Sequence, residues 1–248
     1  MIGICNLSII PVRKEPDSKS EIVSQLLFGE TFEMITSENG WQKIVTINDQ
    51  YSGWISSKQF EILQTSIQHS QTSTVFPFQI AHSIKGNFMI TAGSSLPNLN
   101  GNNFSFNNHQ FELEKNNAQF VFSDIEKTAI QYLNVPYLWG GKSPFGIDCS
   151  GFTQTIFAQC GIHLMRDAYQ QAEQGNTVSF KSEVKCGDLA FFDNDEGKII
   201  HVGIMLNADK IIHASGKVRI DSIDDYGIMN KDEKQYSHKL RIIKRISE

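Results

Sequence analysis

Tyr137-Leu138-Trp139-Gly140-Gly141, followed by Gly146-Ile147-Asp148-Cys149-Ser150-Gly151-Phe152, is the stretch on which the reading of this chain turns. Glycines tighten the backbone on both sides of a thiol. From Cys149 onward Phe152, Ile156 and Phe157 recur at helical spacing, as far as a stop at Gly161. Cys149 therefore opens a helix, where unpaired backbone N–H groups favour thiolate over thiol. Further on, Ile199–Ile204 alternates with a period of two, placing His201 and Gly203 on one face, where backbone, a ligand or a helix end can approach closely. After a tight turn at Asn207-Ala208-Asp209, Ile211-Ile212-His213 puts a second imidazole on the neighbouring strand. The two rings lie within a few residues of register, so one can hold the other in a single tautomer. Singly, the thiol reads as a small buried hydrophobe and each histidine as a structural strand residue. Jointly they are the equipment of a cysteine hydrolase.

Composition bounds the rest. The chain has 248 residues, enough for one large domain or two to three small ones, and at 40% hydrophobic and 20% charged it reads as an ordinary globular protein. A net charge of −5 gives no electrostatic reason to expect nucleic acid or an anionic membrane as partner. Met1-Ile2-Gly3-Ile4-Cys5-Asn6 shows neither a signal-peptide pattern nor a membrane span, and Cys5, Cys149, Cys160 and Cys186 are too scattered for a zinc or redox motif. A reducing, cytoplasmic setting is expected, with no metal and no organic cofactor. Cys160 and Cys186 read as packing residues, and His69, His82, His109, His163 and His238 receive no role.

Three segments follow one another. In residues 1–63, the runs Gly3–Pro11, Glu30–Ser37, Trp41–Ile47 and Gly53–Ile55 read as strands, with turn residues at Glu38-Asn39-Gly40 and Asn48-Asp49-Gln50. In residues 64–120, a polar linker at Gln64–Ser73 precedes strand-like stretches in Ile80–Ile90 and Phe104–Leu113. From 121 to 248 the order is helices, then strands. Ser123-Asp124-Ile125-Glu126 has the form of a capping box opening a helix to about Asn134. Helices over Cys149–Cys160 and Asp167–Gln174 precede strands at Asp188–Phe192, Ile199–Leu206, Lys210–His213 and Lys217–Ile220. The layout is α+β, preceded by small all-β modules.

Residues 1–63 resemble a bacterial SH3-like domain, through Val12-Arg13-Lys14-Glu15-Pro16, Leu27-Phe28-Gly29-Glu30 and Gly53-Trp54-Ile55. A second, shortened module of that kind is expected in 64–120. From Ser123, the chain resembles the NlpC-type cell-wall peptidases, a papain-like family of cysteine hydrolases. The resemblance rests on Pro136–Gly141, Asp148–Phe152, Arg166-Asp167, Gln170-Gln171, Gly187–Phe192, His201–Ile204 and Ile212–Ser215. It implies a papain-like core, with Cys149 as nucleophile, His201 as general base and His213 as its orienting residue.

SH3-like modules ahead of such a domain resemble the γ-D-glutamyl-diamino-acid endopeptidases. That implies cleavage of muropeptide stems bearing a free N-terminal L-Ala, releasing L-Ala-γ-D-Glu. An ammonium at a fixed distance from the scissile bond needs carboxylate and hydroxyl acceptors beside the nucleophile. Asp148, Ser150 and Tyr137 are placed to supply them. In Arg166-Asp167-Ala168 the last position is often Ser in such relatives, so Ala168 shifts weight to Asp167 or Asp148. Tyr51 and Glu15, from the SH3-like module, are carried over as substrate contacts. A monomer acting on muropeptides is expected, with no nucleic-acid or membrane partner. The alternatives are an N-acetylmuramoyl-L-alanine amidase, a lipid acyl hydrolase, or a wall-peptide-binding protein without turnover.

Overall fold

The computed structural model describes residues 1–67, 70–118, 120–230 and 234–246. The chain divides into two compact units, Met1–Phe120 with Trp139–Pro144, and Val121–Leu138 with Phe145–Glu248.

The N-terminal unit begins with β1 (Ile2–Ile4), β2 (Ile9–Arg13), β3 (Ile22–Leu27), β4 (Thr31–Glu38), β5 (Trp41–Thr46), β6 (Ser52–Ser56) and β7 (Glu61–Ile62). They form one sheet in the order β3-β2-β6-β5-β4-β1-β7. Asn39 and Gly40 both take positive φ, so the β4–β5 hairpin turns as its sequence suggests. The expected single strand at Gly3–Pro11 is two strands, and β3 is an addition to the sequence reading. Cys5, Ile10, Val12, Leu26, Phe32, Ile44 and Ile55 fill this core.

β8 (Ser70–Thr72) pairs with β11 (Ser95–Pro97), so the polar run read as a linker holds a strand. Gln68 and His69 lie outside the described residues. The two strand-like stretches beyond are hairpins. β9 (Phe78–Ser83) pairs with β10 (Gly86–Thr91), and β12 (Asn103–Phe106) with β13 (His109–Leu113), making a four-stranded sheet. Phe28 and Ile4 from the first sheet share one core with Ile90, Phe104, Phe106, Phe111 and Leu113 of this second group. The glycine-rich excursion, with β14 at Lys142–Ser143, belongs to this unit. Lys142 Nζ donates to Glu30 Oε1 at 2.9 Å and Trp139 Nε1 donates to Glu21 Oε1 at 2.8 Å. Gly140 stands at φ 76°, and a Cβ there would lie 2.4 Å from the Ile22 carbonyl oxygen. Only glycine fits both constraints.

In the C-terminal unit a 3₁₀ turn (Phe122–Asp124) leads into α1 (Ile125–Gln131), which is shorter than expected. The Ser123 capping box does not form: Asp124 Oδ2 instead accepts from the Val121 N–H at 3.1 Å, closing the turn one step earlier. β15 (Gly146–Ile147) precedes α2 (Cys149–Gln159), then come α3 (Ala168–Gln171), β16 (Asn176–Thr177) and a 3₁₀ turn at Lys181–Glu183. The antiparallel strands β17 (Leu189–Asp193), β18 (Ile199–Asn207), β19 (Lys210–Ser215), β20 (Lys217–Ile223), β21 (Gly227–Asn230) and β22 (Gln235–Arg245) follow. β22 pairs with both β17 and β21, so the sheet closes on itself as a barrel. Ala190, Phe192, Met205, Ile211, Ile223 and Ile228 form its apolar filling. This is the α+β, papain-like order of helices before an antiparallel sheet.

Candidate active site

Asp148 is the N-cap of α2 in extended conformation, and its Oδ1 accepts from the Gly151 N–H at 2.6 Å. Arg166, only 1% exposed, grips the same carboxylate, donating from Nη2 to Oδ2 at 2.6 Å and from Nη1 to Oδ1 at 3.1 Å. Arg166 Nη1 also donates to Ser150 Oγ at 3.0 Å. A buried carboxylate is tolerable here because a bidentate guanidinium balances it. Gln171 ties α3 to the helix start, its Nε2 donating to the Ser150 carbonyl at 3.0 Å. These bonds fix the first turn of α2 and with it the nucleophile.

Cys149 is 6% exposed. Burial pushes its thiol up to about 12, and the neighbouring Asp148 charge acts in the same direction. Hydrogen bonds from the backbone of Val202 and Ser150, and the Arg166 charge, pull the other way but do not prevail. The expectation of a resting thiolate is therefore corrected. The helix N-terminus favours an anion, but desolvation of a nearly enclosed sulfur and an acidic N-cap outweigh it. The bond from Val202 also sets the sulfur beside the residue that follows His201.

The two histidines meet diagonally. Gly203 of β18 pairs with His213 of β19, and His201 lies two residues along the same face. A Cβ at Gly203 would stand 2.8 Å from His213 Cβ and 2.7 Å from Ile211 Cδ1. The gap at Gly203 thus receives its own neighbours on β19 rather than a ligand or a helix end. His201 Nε2 and His213 Nδ1 share a hydrogen bond of 2.8 Å. Burial lowers the pKa of His201 well below 6.5, and the adjacent His213 and His238 add to this. Burial lowers that of His213 as well, against the pull of Asp221.

Two neighbours of this pair escaped the sequence reading. Asp221 on β20, 1% exposed, has its Oδ2 3.1 Å from His213 Nε2. His238 on β22, given no role from sequence, stacks on His201 with ring centroids 4.0 Å apart and planes at 23°. Burial lowers its pKa to about 4. One ring nitrogen from each of His201, His213 and His238 lies within 4.8 Å of the other two, the one potential metal cluster among the described residues. Two imidazole nitrogens on a tetrahedral zinc ion would stand about 3.3 Å apart. The 2.8 Å between His201 and His213 suits a shared proton better.

Of the remaining candidates, Tyr137 is half-buried, its backbone held by the Gly216 carbonyl at 3.0 Å. Burial raises the pKa of its phenol, and the nearby Asp148 carboxylate raises it further. Asp167, half-buried, is the N-cap of α3. Tyr51, half-buried, and Glu15, exposed, belong to the N-terminal unit, whereas all the other candidates belong to the C-terminal one.

Known proteins are similar to this chain. The NlpC/P60 family matches residues 134–236 and the bacterial SH3 domain matches residues 10–60. The chain is 31% identical over 217 residues to the gamma-D-glutamyl-L-lysine dipeptidyl-peptidase of Bacillus subtilis (strain 168), a match covering 78% of this chain and 72% of that one. The probable endopeptidase p60 of Listeria seeligeri is 43% identical over 100 residues, 40% of this chain and 19% of its own. The crystal structure of an NlpC/P60 family protein from Bacillus cereus ATCC 10987 has the same fold, with a TM-score of 0.83 over 99% of both chains at 20% identity. With its thiol at a helix start and its paired imidazoles on adjacent barrel strands, the chain belongs to the NlpC/P60 family of cysteine peptidases and carries a bacterial SH3 domain before its catalytic domain.

Proposed function

We propose that the chain hydrolyses the γ-D-glutamyl bond to the diamino acid in peptidoglycan stem peptides whose N-terminal L-Ala is free, releasing L-Ala-γ-D-Glu. One observation carries this choice within the family. Similarity to the dipeptidyl-peptidase extends over 78% of the chain, whereas similarity to the p60 endopeptidase is confined to 40%.

In this reading Cys149 attacks the γ-glutamyl carbonyl while His201 takes the thiol proton. The sulfur and the imidazole both start neutral, so proton transfer accompanies attack. Backbone N–H groups at the start of α2, Cys149 among them, face the developing oxyanion. His201 returns the proton to the leaving α-amino group of the diamino acid. Water then hydrolyses the thioester, with His201 again as base and His213 orienting it. The substrate ammonium is received by Asp148, whose charge Arg166 shares, together with Ser150, Tyr137 and Asp167. Such a specificity suits peptides already released from the wall, and we place the enzyme in cytoplasmic muropeptide recycling.

The test is hydrolysis of L-Ala-γ-D-Glu-L-Lys and its diaminopimelate counterpart, each beside its N-acetylated form, followed by mass spectrometry with Cys149→Ala as control. Cleavage of the free-amine peptides alone, abolished in the variant, is the expected result. Cleavage of the acetylated forms would discard the ammonium pocket and the recycling role. Retained binding without cleavage would favour a wall-peptide-binding protein.

A further inference from the structure

The buried carboxylate of Asp221 decides where the protons sit on both imidazoles. Its Oδ2 accepts from Arg219 Nε at 2.6 Å and its Oδ1 accepts from Arg219 Nη2 at 3.0 Å. Arg219 Nη2 in turn donates to Asn230 Oδ1 at 3.2 Å. A carboxylate so held is ionised, and an ionised carboxylate only accepts. The nitrogen 3.1 Å away, His213 Nε2, must then carry the hydrogen. A neutral imidazole with its proton on Nε2 has a lone pair on Nδ1. Facing that lone pair at 2.8 Å is His201 Nε2, which must be the donor. His201 is left with its lone pair on Nδ1.

The sheet makes this line of three possible. Arg219 is the cross-strand partner of His213 on β20, as Gly203 is on β18. Asp221 lies two residues from Arg219, just as His201 lies two residues from Gly203. The three side chains therefore step diagonally across three adjacent strands. Among the described residues, His201, His238, Arg219 and Asp221 are the titratable groups around His213.

We propose that Asp221 is a positioning residue of the peptidase, fixing the tautomers of His213 and His201 so that His201 Nδ1 stays free to take the Cys149 proton. The proposal rests on His201 serving as base, but not on the identity of the peptide cut. Protonation of His213 would reverse the relay. With hydrogens on both of its nitrogens, His213 would donate to His201 Nε2, and the His201 proton would move to Nδ1, where it blocks the base. Burial opposes that protonation.

The test uses the full chain labelled with ¹⁵N-histidine, with long-range ¹H–¹⁵N spectra recorded near neutral pH. Two buried histidines in the Nε2–H form are expected. A His213 signal showing the proton on Nδ1 in the wild-type protein would overturn the proposal, and this measurement needs no variant to fold. In Asp221→Asn, kcat should fall about 100-fold or more while KM stays within about threefold, and the His201 and His213 tautomers should change or mix. The rate of Cys149 alkylation by iodoacetamide should fall in parallel. Alkylation needs no peptide, so an error about the substrate would leave this readout standing. A folded Asp221→Asn protein with wild-type tautomers, or with kcat and alkylation within threefold of wild type, would refute the idea.

Discussion

In the N-terminal unit Phe28 and Phe111 meet edge to face at 5.4 Å, and Phe104 stacks on Phe111 at 4.7 Å. In the catalytic barrel, antiparallel strands of the same kind enclose Met205, Ile211 and Ile228, together with His201, His213 and Asp221. The first interior is held by contact area, which is non-directional and roughly proportional to the apolar surface removed from water. The second depends on atoms set within tenths of an ångström, because each buried polar group must find its partner. One interior stores stability, whereas the other spends part of its burial on arranging protons.

That contrast can be broken most severely at Gly203. Gly203→Val would drive a side chain into His213 and Ile211, so hydrolysis should fall more than about 100-fold and thermal stability should fall with it, by overpacking. Unchanged kcat would show that the diagonal contact tolerates a wider spacing. Phe28→Ala tests the other interior. It should cost about 3–5 kcal/mol in urea denaturation, while the His201 and His213 tautomers of the folded protein stay as they are. A change of tautomer in that variant would deny the separation of the two cores.

His238→Ala sharpens the comparison from within the barrel. Burial is the main cause lowering the pKa of His201, and His238 both covers the ring and adds its charge. Removing it should lift the acid limb of kcat/KM towards pH 6.5, with a few-fold loss of rate below that pH. An unmoved limb in a pH profile from 4 to 9 would make the stack incidental.

The smallest effect is on stability against pH. His201, His213 and His238 all have folded pKa values below the ordinary 6.5, His238 at about 4. As the pH falls, the unfolded chain binds protons first, so the stability tied to these groups is complete above about 6.5 and is lost through the folded values. The lowered pKa of Asp221 places its own loss at still more acid pH, below 3.8. Urea midpoints should therefore fall between pH 7 and pH 4.5, and a flat profile would contradict these assignments.

The sequence reading reached Cys149, His201 and His213 because their neighbours follow local rules: a helix start, a period of two, and the turn at Asn207–Asp209. It stopped where only tertiary structure speaks. Asp221 lies just beyond the strand expected over Lys217–Ile220, and Asp is depleted in strands, so nothing local points to it. Its burial makes sense only once Arg219 and His213 flank it. No local signal marks the strand Gln235–Arg245. Register shifts opposite Phe191–Phe192 and Ile228–Met229 interrupt its period of two, so that Leu240 and Ile243 both reach the barrel's apolar filling, and the many charges mask what pattern is left. Its pairing with both β17 and β21 is a long-range fact that no window of neighbouring residues contains. At Ser123 the capping signature was present, but Asp124 made a competing local bond.

The protonated thiol of Cys149 also bears on wear. Peroxides and other oxidants react with thiolates far faster than with thiols, and each such encounter ends a catalyst's working life unless something reduces it again. A sulfur held as a thiol between turnovers, 6% exposed and with its pKa near 12, presents little of the vulnerable form. Sulfenic acid should therefore form on Cys149 more slowly than on free cysteine when both are treated with peroxide at neutral pH. Durability and idleness would then be the same property, with the anion made only when a peptide is there to consume it.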